Sequence, residues 1–182
     1  MSGHSEAEDP TTSPERLAEL AKSKDAMVRF TVAKNPNTPG DVLAQLSFDT
    51  SSASRWAVAY HHNATPEILT RLANDSDDDT RRGVAWNPNT PVEILIQLAG
   101  DEDNGVRCGV AGNSHTPLEI LWTFAGDENE YVRGNVARNL NTPEEILTLL
   151  TRDENEDVVQ AARESLKTRS QPTIAWMMSA RL

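Results

Sequence analysis

The residues best suited to chemistry in this sequence come in columns. Arg29, Arg55, Arg81, Arg107 and Arg133 recur every 26 residues, and Asp49, Asp75, Asp101, Asp127 and Asp153 each stand six residues before such a position. The arginines fall near helix starts, where the helix dipole disfavours a cation, so they need partners. An arginine–aspartate ladder across the turns is the expected answer, with anion binding the alternative. A second column holds Asn35, His61, Asn87, Asn113 and Asn139. An amide both donates and accepts, so this column is expected to satisfy orphan backbone groups at the turns. The acidic turns Asp75–Asp79 and Asp101–Gly105 resemble the start of a calcium loop, but the twelfth positions are Trp86 and Gly112 instead of a bidentate glutamate. His61 and His62 are adjacent, so their rings are expected to diverge and make a poor metal pair. The one cysteine, Cys108, has no histidine at helical spacing and no disulfide partner within the chain. No nucleophile–base pair, glycine-rich phosphate loop or metal quartet is visible, so the sequence reads as a non-enzyme without cofactor or metal.

The elements that would position these columns are short helices. Ser13-Pro14, Thr38-Pro39, Thr65-Pro66, Thr90-Pro91, Thr116-Pro117 and Thr142-Pro143 read as N-cap followed by proline at the first helical position. Two of the six fall one residue late on the 26-residue grid. Asp41, Glu93, Glu119 and Glu145 would then close capping boxes. Behind each cap runs an amphipathic first helix, with core residues such as Ile94, Leu95, Leu98 and Ala99. An acidic turn follows, then a second set of N-caps: Asp25, Ser51, Asp77, Asp103, Asn129 and Asn155. The second helix carries a valine–alanine core, as in Val106, Val110 and Ala111, and stops at an Asn-Pro-Asn-type turn. Neither helix is long enough to persist alone, so stacking must supply the stability. No segment alternates with period two, and no strand is expected.

The unit V-R-x-x-V-A-x-N-P-x-T-P-x-x-x-L-x-x-L-A, as in Val106–Ala125 and Val132–Leu150, resembles the leucine-rich repeat variant family. The resemblance implies an all-α, right-handed solenoid of about six 26-residue repeats, in which an α-helix alternates with a shorter α or 3₁₀ helix. A cysteine-rich iron–sulfur segment precedes the repeats in the best-known relative. This chain has no counterpart to it, and no redox role is implied.

The outward face of the second helix is the candidate partner surface. Counting the arginine as zero, the core lies at minus one, plus three and plus four, so plus one and plus five point away from it. Those positions hold Phe30, Lys34, Trp56, Tyr60, Arg82 and Trp86 in the early repeats, and Gly134 and Arg138 later. Rings and cations shown to solvent mark a protein interface. The alternative is that the rings fill gaps between neighbouring repeats. Ile96 and Trp122, at matching positions of the first helix, and Trp176 in the tail are candidates for self-association.

Lys and Arg number 17 against 28 Asp and Glu, a net charge of -11. That balance repels phosphate backbones, so nucleic acid is the weaker alternative partner; it would require Lys34, Arg55, Arg81, Arg82 and Arg138 to form a groove. No apolar run is long enough to span a bilayer. With one cysteine and no secretory signal, the expected location is cytoplasmic. The expected organisation is a disordered acidic leader over 1–12, the helical repeats over 13–168, and a capping or docking tail over 169–182. Val159, Arg163 and Ser165 break the columns in the last repeat, as a terminal cap would.

Overall fold

The computed structural model describes residues 3–170, which form thirteen α-helices and no strand among the described residues. The chain divides into two compact units, Met1–Pro117 and Leu118–Leu182. In the first unit, seven-residue helices α2 (Pro14–Leu20), α4 (Gly40–Leu46), α6 (Pro66–Leu72) and α8 (Val92–Leu98) alternate with nine-residue helices α3 (Ala26–Lys34), α5 (Ser52–Tyr60), α7 (Asp78–Trp86) and α9 (Asn104–Gly112). The nine-residue helices pack directly on one another, and each seven-residue helix leans on its neighbours in the chain. The core is the line between the two sets. Leu17, Leu43, Leu69 and Leu95 from one side, and Val32, Val58, Val84 and Val110 from the other, are wholly buried. The second unit repeats the scheme with α10 (Leu118–Phe124), α11 (Glu130–Arg138), α12 (Glu144–Leu150) and the longer α13 (Glu156–Ser170). The second helix of each pair is α and is the longer one; the shorter member is the first.

Where a disordered leader is expected, α1 (Gly3–Glu8) forms instead. Its residues occupy the 26-residue grid of the second helices: Ala7 falls in register with Ala33, Ala59 and Ala85, and all four are fully buried. Asn35 donates to the carbonyls of Ala7 and Asp9, Thr12 Oγ1 to that of Glu6, and Arg16 pairs with Glu6 at 2.7 Å. Polar composition suggested disorder, but these contacts come from the stack and tie the segment down. At the other end α13 continues to Ser170, past the expected boundary at 168, because no Asn-Pro turn follows it. Trp176 lies outside the described residues.

The Thr-Pro reading is corrected at most repeats. Ser13 and Thr65 do cap α2 and α6, accepting from the backbone N–H of Arg16 and Ile68, with proline at the first helical position. At α4, α8 and α12 the cap position is proline itself, with no side-chain cap bond, and the helix starts one residue later than expected. The acids Asp41, Glu93 and Glu145 therefore sit at the second helical position and close no box with the threonine. The threonine hydroxyl turns the other way. Thr38, Thr90 and Thr142 donate at 2.6 Å to the carbonyls of Val32, Val84 and Val136, and Thr116 donates likewise to Val110. These carbonyls belong to the last turn of the preceding nine-residue helix, where acceptors lack intrahelical partners. The hydroxyl thus ends one helix instead of starting the next. Of the second set of caps, Asp25, Asp77, Asp103 and Asn129 accept backbone N–H bonds, whereas Ser51 makes none.

Candidate interaction surface

The arginine column is spoken for. Arg29 donates Nε and Nη2 to the two oxygens of Asp49, at 2.6 and 2.9 Å, and Nη1 to the carbonyl of Ser23 at 2.8 Å. Arg55 and Arg81 repeat the fork on Asp75 and Asp101, with Nη1 on the carbonyls of Asp49 and Asp75; Arg133 does the same on Asp153 and the carbonyl of Asp127 in the second unit. Arg107 Nη1 donates to the carbonyls of Asp101 and Glu102. Each fork reaches 20 residues forward, so it joins one repeat to the next. Each aspartate also accepts an N–H two residues on, as Asp75 does from Asp77. Burial alone would raise the pKa of Asp49, Asp75, Asp101 and Asp153, but the guanidinium and backbone donors together overcome it and hold all four below the ordinary carboxylate range. With Nε, Nη1 and Nη2 all engaged, these side chains hold the stack together and offer little to an outside anion.

The asparagine column is a second seam. Asn87 Nδ2 donates to the carbonyls of Ala59 and His61, at 2.7 and 3.1 Å, while its Oδ1 accepts from Asn89 N–H at 2.9 Å. Asn113 does the same with Ala85, Asn87 and His115, and Asn139 Oδ1 accepts from Asn141. His61 substitutes with two bonds: Nδ1 accepts from Asn63 N–H, so Nε2 carries the proton and donates to the carbonyl of Asn35. Pinned in this way, its ring stacks on His62 at 4.6 Å; the two do not diverge as adjacency in a helix end suggests. In the second unit Ser165 Oγ donates to Ala137 carbonyl, and Arg169 donates to the carbonyls of Asn139, Leu140 and Thr142. A hydroxyl and a guanidinium on one long helix thus take over the amide's work.

The outward positions of the nine-residue helices in the first unit form a band of rings. Phe30 and Trp56, both half-buried, stack with centroids 6.3 Å apart; Trp56 and Tyr60 meet at 5.1 Å; Lys34 Nζ lies 5.5 Å from the Phe30 centroid. Tyr60 and Trp86 remain 42% and 38% exposed. The rings do pack on neighbours, and Tyr60 and Trp86 keep part of their surface open as well. A Cβ built on Gly83 would fall 2.8 Å from the Tyr60 ring, and one on Gly109 would fall 3.1 Å from that of Trp86. Those glycines, two residues past the arginine, are the signal that was in the sequence: a large ring in one repeat is matched by a missing side chain in the next. Arg82 bonds Asp79 at 3.0 Å and crosses Gly105. Arg138 lies in the second unit, on α11, where it donates to its own helix at Gly134. Ile96 and Trp122, one in each unit, are 51% and 48% exposed.

Two clefts flank Phe30. One, of about 290 Å³, is lined by Phe30, Ser52, Ala53, Trp56, Asp77 and Asp79. The other, of about 280 Å³, lies between α1 and α3 and includes His4, Glu8, Met27 and Lys34. The rings are legible in the sequence, whereas these polar walls, which come from the ends of several neighbouring helices, are not. Among the described residues no group of three or more potential metal ligands converges, and no helix is long and apolar enough to cross a membrane.

Residues 2–52 match the family model of the Leucine Rich Repeat Variant domain. Among solved structures, one described as a leucine-rich repeat variant with a novel repetitive protein structural motif is 26% identical, covering 93% of this chain and 82% of its own, with a TM-score of 0.59. The Escherichia coli protein YibA (18% identity, 91% and 73% coverage, TM-score 0.63) and an engineered protein (15% identity, 86% and 98% coverage, TM-score 0.54) share the fold. No curated protein matches the chain. The match over residues 2–52 takes in α1, in keeping with its place on the grid. Residues 2–52 thus carry the leucine-rich repeat variant signature, and the chain as a whole is similar in fold to a solved leucine-rich repeat variant.

Proposed function

We propose that the chain is a non-catalytic binding scaffold that holds a protein partner, in a reducing compartment such as the cytoplasm, on the ring-bearing face of α3, α5 and α7. The observation that carries this reading is the contiguous run Phe30–Trp56–Tyr60 with Trp86, large rings packed on neighbours, the first two half-buried and Tyr60 and Trp86 exposed. Rings already immobilised lose little entropy on binding, which is why such residues dominate interfaces. The polar columns are committed to holding repeats together. Nucleic acid fits poorly: Arg55 and Arg81 are locked in forks, Arg82 is paired with Asp79, and the net charge is -11.

The test is capture of a partner by Trp56→Ala, Tyr60→Ala and Trp86→Ala variants, each checked by circular dichroism. Loss of capture with an unchanged spectrum supports the reading. Undiminished capture by all three refutes it. Should Trp56→Ala unfold, Tyr60→Ser and Trp86→Gln probe the exposed halves alone.

A further inference from the structure

We infer that the cleft between α3, α5 and α7 receives a cationic side chain, lysine or arginine, from the protein partner. This rests on the proposed function and gives that partner its chemistry. The cleft has two aromatic walls, Phe30 and Trp56, and two carboxylate walls, Asp77 and Asp79. Aromatic faces attract cations through the ring quadrupole, and a carboxylate beside them sets the sign of the ligand. Phe30 already holds one cation of its own chain, Lys34.

Two features oppose a cation here. The starts of α5 and α7 point partial positive charge toward the cleft, and Arg82 pairs with Asp79. Against them stand the two lining carboxylates, Asp79 and Asp77, the latter spending one oxygen on Thr80. Arg82 pairs with only one of these two, Arg55, which also acts on Asp77, is already forked on Asp75, and the protein as a whole is strongly acidic. A phosphate or carboxylate ligand would meet repulsion at short and long range, whereas an ammonium or guanidinium meets attraction at both.

The experiment titrates the full chain with an eight-residue lysine–glycine peptide, its glutamate–glycine counterpart and tetramethylammonium, following binding heat and the indole N–H signal of Trp56. The lysine peptide and tetramethylammonium are expected to shift that signal, and the glutamate peptide not to. Asp79→Lys, an exposed position whose fold is checked by circular dichroism, is expected to weaken the lysine peptide by about tenfold, on the scale of a lost ion pair plus reduced ring attraction. Equal binding of the glutamate peptide, preferential binding of a single-stranded oligonucleotide, no binding of the lysine peptide, or an unchanged affinity in Asp79→Lys each overturns the inference. Tyr60 and Trp86 do not line this cleft. If partner capture still depends on them while the cationic probes fail, the inference falls and the proposed function stands; if capture is also indifferent to them, both fall.

Discussion

Replacing Asn87 is the most direct test of how the repeats are joined. The residue is 2% exposed, and its side chain makes three hydrogen bonds, two donated to carbonyls of the preceding repeat and one accepted from its own turn. Asn87→Ala leaves two buried carbonyls and one N–H without these partners. At about 1 kcal/mol for each bond, the variant should lose about 3 kcal/mol, a large share of the roughly 5–15 kcal/mol that holds a domain together. Asn87→Asp is the sharper probe, because it keeps size and shape. The carboxylate can still accept from Asn89, but both donors are gone, and a negative oxygen is placed against the carbonyls of Ala59 and His61. It should therefore be the worse of the two, by about 1 kcal/mol or more at neutral pH. Urea unfolding followed by circular dichroism measures both. An Asn87→Asp variant as stable as Asn87→Ala, or either within about 0.5 kcal/mol of wild type, would refute the claim that the amide's donors join the repeats.

Gly109→Ala should destabilise despite alanine's better helix propensity, which is worth about 1 kcal/mol. The new Cβ would fall 2.7 Å from Ala85 Cβ, an atom that cannot move without its helix, so a net loss of about 1–2 kcal/mol is expected by thermal melting, with increased exposure of Trp86 to a fluorescence quencher. Ser54→Val should stabilise by about 1 kcal/mol in urea, since the Ser54 hydroxyl is buried without a partner and Val28 and Val106 occupy the same column. Acid should unfold the protein in two stages. Burial, with a smaller push from His62, lowers the His61 pKa, so the unfolded state binds more protons just below the ordinary histidine value and stability falls with pH from about 6.5 downward. The ladder aspartates also have lowered pKa values, so their contribution is whole above about pH 4 and is lost below it. Melting temperature against pH checks both, and His61→Asn should remove the upper step only.

Much was legible in the residues because each repeat states its local rules in full. A valine and an alanine placed for one helix face, an aspartate or asparagine before the second helix and a proline after it are enough to set the helices and the 26-residue period. The need of a buried arginine for an acid, and of turn carbonyls for an amide, could be argued without coordinates. What went unread involved choices between two local options that only a neighbour resolves. A threonine before proline caps the next helix at residue 65 and closes the previous one at residue 90, according to where the proline falls against the stack. Residues 3–8 look unstructured by composition, and become a helix because Asn35 holds them from the following repeat.

The amino-acid sequence by itself determined the period, the two helices of each repeat and the polar columns, since these follow from spacing along one chain and from the demands of each backbone group. The tertiary structure alone decided that the second helix of each repeat is α and the longer one, which aspartate each guanidinium grips, and that carboxylates at the start of α7 stand beside rings from α3 and α5. The physical reason is that these contacts join residues about one repeat apart in the chain, 20 to 28 positions, and come into being only when one module lies on the next.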